Sequence, residues 1–95
     1  MTPTPLSDVV LLELIAAGEQ RGLWELSTRY SGALRELAFG LVHDGAAAER
    51  AVQVAFQEVR YQAAQFDPAH FPVRRWLMEI TRAAALEQRS VASGP

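Results

Sequence analysis

Residues 48–89 read AERAVQVAFQEVRYQAAQFDPAHFPVRRWLMEITRAAALEQR, and the periodicity of this stretch decides the fold. Val52, Ala55, Phe56, Val59, Ala63 and Phe66 recur at steps of three and four, the spacing that lines one face of a helix. Arg50, Gln53, Gln57 and Arg60 fall on the other side, so an amphipathic helix with a polar outer stripe is predicted from about Ala46 to Gln65. Asp67 and Pro68 stop it, because the residue before a proline is driven out of the helical region. A loop runs on to Pro72, where proline is well tolerated at a helix start. Trp76, Leu77, Ile80 and Ala84, with Glu87 in register, mark the repeat of a further helix.

Toward the N-terminus, His43, Asp44 and Gly45 form a turn in which Asp44 is suited to cap the helix that follows. Before it, Leu23, Leu26, Tyr30, Leu34, Leu37 and Leu41 share one face of a long helix between Glu19 and Val42. Arg21, Glu25 and Arg29 step along its outer face at i,i+4. Gly22, Gly32 and Gly40 weaken this helix by about 1 kcal/mol each relative to alanine. The run DVVLLELIAA, Asp8 to Ala17, is apolar almost all round, as for a short helix buried between others. Ser7 is its N-cap and Gly18 its end. Residues 1–7, with Pro3 and Pro5, are expected to be a loose arm, residues 8–90 one helical domain, and 91–95 a frayed tail. The fold class is therefore all-α, a compact bundle of about four helices, with Trp76, Leu77, Phe56, Val59, Phe66, Leu34 and Leu37 in its core.

Composition narrows the function. With 49% hydrophobic residues the 95-residue chain suits a single domain with its own core. It has no cysteine, and His43 and His70 are too far apart in sequence to form a local ligand pair, so no metal or cofactor is expected. No apolar run approaches the ~18 residues that span a bilayer, and no secretion signal opens the chain, so a cytoplasmic protein without membrane contact is expected. All nine basic residues are arginine, lysine and asparagine are absent, and alanine is abundant, which suggests a GC-rich coding sequence. Net charge is −2, so any contact with nucleic acid must be local. Convergent nucleophiles, acid–base pairs and a glycine-rich phosphate loop are all missing, which argues against an enzyme.

The 48–89 stretch, above all Gln53, Phe56, Phe66-Asp67-Pro68 and Trp76-Leu77, resembles region 2 of bacterial sigma factors of the extracytoplasmic-function group. The usual form there is close to AEDVVQEVFLRVWRRAARFDP, a short loop, then PRAWLLTIARNRALDRLR. The likeness extends from roughly Leu11 to Arg89, with region 2 standing without the region 4 domain that normally follows. It implies two working surfaces. The third helix would meet the coiled coil of the largest subunit of RNA polymerase core through Arg50, Gln53, Val54, Gln57 and Arg60. The loop and fourth helix would unstack and read the non-template strand of the −10 promoter element through His70, Phe71, Arg74, Arg75, Arg82 and Arg89.

Several positions depart from the family pattern. Gln53 is retained, but Arg50 stands for an aspartate, Val54 for a glutamate and Arg60 for a tryptophan, so an acidic face becomes basic. Thr81, Arg82, Ala83 and Ala84 replace Ala-Arg-Asn-Arg, which removes an amide suited to base edges. Two readings of the loop stand side by side. In one, the arginines touch phosphates while Phe71 and His70 stack on a base; in the other, the arginines solvate the helix and Phe71 closes the core edge. Two functions follow: a sigma-factor domain that contacts polymerase and promoter, or a protein-interaction module pairing with an anti-sigma protein, a sigma-like chain or itself. Val54 has two readings: a lone surface valine or, for the second function, part of a modest apolar patch with Ala47, Ala51 and Tyr61.

Overall fold

The computed structural model describes residues 6–92, apart from the side chains of 91 and 92. Most of the expected arm (residues 1–5) and the end of the expected tail (93–95) lie outside the described residues. Four helices follow in order: α1, Asp8–Ala16; α2, Gln20–Val42; α3, Gly45–Gln62; and α4, Val73–Ala92. Among the described residues there is no strand. The all-α bundle expected from the periodicities is the observed architecture.

The local chemistry of each helix end is visible. Ser7 Oγ accepts the Val10 amide at 3.2 Å, and Gly18, at φ 84°, takes the left-handed conformation that ends α1. Asp44 Oδ1 accepts the Ala46 amide at 3.0 Å and starts α3. The left-handed residue after α2 is His43, at φ 55°, and not Gly45, which is already the first residue of α3. Helix α3 ends at Gln62, with residues 63–65 in a turn, so it stops before Asp67 and Pro68 are reached. Helix α4 continues through Ala92, two residues into the expected tail.

Helices α2, α3 and α4 pack on one another, and α1 packs chiefly on α2. Leu11, Leu26, Leu34, Val59 and Leu77 are at most 1% exposed and form the centre, each burial contributing about 2 kcal/mol. Thr81 is buried among them, its hydroxyl donating to the Leu77 carbonyl at 2.8 Å so that no polar group is stranded. Ala84 is buried as well, so its small size is a packing requirement and not a missing basic contact. Three expectations need correction. Helix α1 is not enclosed: Leu11, Leu12 and Ile15 face α2, but Val9 and Val10 are exposed because only one face has a neighbour. Leu37 is only half-buried, and Ala38 takes the enclosed position. The apolar patch around Val54 does not form, because Ala47 and Ala51 are buried and Val54 is half-buried against the core, leaving Tyr61 exposed by itself.

One polar clasp fastens α1. Arg29 Nη1 contacts Asp8 Oδ1 at 2.7 Å, Arg29 Nη2 donates to the Leu6 carbonyl at 2.7 Å, and the Tyr30 hydroxyl donates to Asp8 Oδ2. Arg29 thus reaches across to α1 and forms no ion pair with Glu25. Burial first, and then the bond to Asp8, push the Tyr30 hydroxyl up to about 12.

Candidate functional site

Two recessed surfaces gather some of the side chains expected to act, Gln53, Gln57 and Arg60 in one and His70 and Phe71 in the other. The first is a groove of about 820 Å³ between the α1–α2 end and α3. Its floor includes Leu23, Val52 and Phe56, and Trp24, which is 68% exposed, stands on its α2 wall. Gln53, Gln57 and Arg60 form the α3 wall, and Arg35 Nε bridges to Glu49 Oε2 at 2.7 Å across the two helices. Arg50 and Val54 are not in this groove. Arg50 turns toward α4, donating from Nε to Gln88 Oε1 at 3.3 Å, and Val54 packs at the core edge. The five expected positions are thereby split between two edges of α3. Sequence periodicity missed Trp24, although a tryptophan one step beside the Leu23–Leu26 stripe signals an exposed aromatic.

The second surface is a cavity of about 630 Å³ beside the 63–72 segment. Phe66 and Trp76 stack nearly parallel, with ring centres 4.1 Å apart and planes 15° apart, and make one wall. Both are half-buried for this reason: each covers one face of the other and leaves an edge to the cavity. Phe71 contributes a further wall, with the Arg75 guanidinium 5.4 Å from its ring centre. Asp67 organises the loop, Oδ1 accepting the Ala69 amide at 2.9 Å and Oδ2 lying 2.5 Å from His70 Nδ1. Gln62, Gln65 and Glu79, none of them foreseen, complete the lining together with His70.

Arg75, Arg82 and Arg89 are exposed and recur at seven-residue steps along α4. Two turns advance about 10.5 Å with a drift of only ~20°, so the three form a nearly straight basic line that starts at the cavity wall. Exposed Met78 and Leu86 interleave with it. Arg74 does not belong to this line. It lies about 100° around α4 from Arg75, and its charge acts on the Tyr30 hydroxyl, so neighbouring arginines serve different faces of the helix.

These features belong to a small all-α domain. Among the described residues no group of acids and histidines is placed to hold a metal ion, and no helix is long and apolar enough to cross a membrane. The Sigma-70 region 2 family matches residues 26–92, and the chain belongs to that family, a non-enzymatic transcription-factor domain with a sigma-factor-like role. The match begins at Leu26, so α1 and residues 20–25 of α2, Trp24 among them, lie outside the matched segment. The chain matches no curated protein and no solved structure.

Proposed function

We propose that this domain acts in the cytoplasm in transcription initiation, joining RNA polymerase core through the α2–α3 groove and holding the non-template strand of the −10 element at the α4 surface. The observation that carries the reading is the arginine line of α4 starting at a cavity walled by Phe66, Trp76 and Phe71. A single strand needs both parts: cations that follow its phosphates, and aromatic faces on which an unstacked base gains about 1–3 kcal/mol. Duplex DNA keeps its bases stacked and offers only phosphates. On the other surface, Gln53, Gln57 and Arg60 lie beside exposed Trp24, an aromatic anchor within a polar rim, as partner helices require. Arg50 stands where the family has an acid, but its guanidinium is drawn to Gln88, which moves that charge away from the groove.

The test is a titration of labelled DNA at low salt, comparing a single strand carrying a −10-like sequence with the same sequence as duplex. Tighter binding of the single strand is expected, together with a changed affinity and salt dependence of core polymerase association for Arg60→Glu. Equal and negligible binding of both DNAs would refute the nucleic-acid half of the reading. Unchanged core affinity and salt dependence in Arg60→Glu would remove the groove from it.

A further inference from the structure

The rim of the aromatic cavity is chemically lopsided. Gln62 donates one Nε2 hydrogen to Glu58 at 2.9 Å, which leaves its second N–H and its Oε1 for the cavity. Asp67 is a carboxylate and can only accept, so the hydrogen between it and His70 resides on the imidazole Nδ1. Glu79 adds a carboxylate whose nearest cation, Arg75 Nε, is 3.8 Å away, too far for a hydrogen bond. Gln65 contributes a second amide with donor and acceptor, and no arginine lines the cavity. The two carboxylates, Asp67 and Glu79, therefore give the rim an excess of acceptors, while the arginines stand outside it along α4.

This asymmetry has two physical effects. Phosphate is repelled from the cavity and attracted to the arginine line, so the group that enters is a base. Among bases, an acceptor-rich rim favours the one offering most N–H groups. Resting on the reading that the cavity takes an unstacked base, we infer that it ranks bases by their donors and that Glu79 determines the ranking. Guanine offers adjacent N1–H and N2–H groups, a pair that one carboxylate can accept together. Cytosine and adenine offer one exocyclic amine beside an acceptor ring nitrogen. Thymine has a single N–H between two carbonyl oxygens, which face the Glu79 carboxylate unfavourably.

The experiment uses the full chain and short labelled strands of abasic sugar-phosphate units carrying one central base: guanine, adenine, cytosine, thymine or none. Anisotropy titrations at low salt are expected to place guanine first and thymine last among the four bases, about tenfold apart, the scale of one good paired contact to a base edge. Glu79 is exposed, so Glu79→Gln leaves the fold intact while adding a donor that suits a thymine carbonyl. The guanine-to-thymine ratio should then fall toward unity. If the abasic strand binds as well as all four others, or if none binds, the cavity does not take a base and the underlying reading fails with the inference. Were every base to improve on the abasic strand while thymine equals or exceeds guanine, or Glu79→Gln leaves the ratio unchanged, base capture would stand and the donor ranking would be overturned.

Discussion

A single methyl group added at Gly22 should unseat α1, although the same change two or more turns along the helix should strengthen it. A Cβ at Gly22 would lie 2.7 Å from the Leu11 carbonyl oxygen, 2.8 Å from Leu14 Cβ and 3.0 Å from the Ile15 nitrogen. Two of those atoms are α1 backbone, which cannot swing aside like the end of a flexible side chain. Overpacking of this kind costs about 1–3 kcal/mol. Alanine returns about 1 kcal/mol through its higher helix propensity. The net effect of Gly22→Ala is a loss of up to about 2 kcal/mol. Gly32 and Gly40 belong to the same helix and have nothing within 4 Å of a Cβ, so Gly32→Ala and Gly40→Ala collect the propensity gain alone. Thermal unfolding followed by far-ultraviolet circular dichroism reads the difference, since 1 kcal/mol moves Tm by about 4–8 °C in a domain of this size. Gly22→Ala should melt below the parent, and the other two above it. A Gly22→Ala protein that melts level with Gly32→Ala would refute the close seating of α1 on α2.

Two further outcomes follow from the polar chemistry. The Tyr30 hydroxyl is held at about 12 in the folded chain against the ordinary value of 10.0, so the folded state keeps its proton where the unfolded chain has lost it. The stability this contributes is complete below about pH 10 and disappears as pH rises through 12. Urea unfolding across that window should show the decline in the parent and a flatter profile in Tyr30→Phe; identical slopes would exclude the tyrosine as its source. For the α4 surface, three phosphate contacts predict a slope of about −2 in log K against log salt for a single strand, and Arg82→Ala should reduce its magnitude by about 0.7. A slope unaltered by Arg82→Ala would take that residue off the strand's path.

The helices themselves were legible in the amino-acid order. Stripes such as Val52, Ala55, Phe56 and Val59 lie inward as their spacing requires, and Ser7, Gly18 and Asp44 bound helices by local bonds that need no distant partner. The stretch around Phe66-Asp67-Pro68 and Trp76-Leu77 likewise carried the family, because such motifs are read in one dimension. The candidate site was legible only in outline. Arg50, Gln53, Val54, Gln57 and Arg60 share a side of α3, yet Gln88 draws Arg50 toward α4 while Trp24 gathers Gln53, Gln57 and Arg60 into a groove. Arg74 and Arg75 are neighbours in the chain and face different ways, the charge of one acting on Tyr30 and the other lying over Phe71. Ala47 and Ala51 passed for surface residues until α3 acquired its neighbours. Glu79 and Gln62 joined the cavity because the turn after Gln62 brings the end of α3 and the start of α4 to a common mouth. Periodicity is a property of one helix and determines which side is apolar. How far burial spreads around that side, and which polar groups meet at its edges, depends on where the other helices cross, and those crossings are set by packing between residues far apart in the chain.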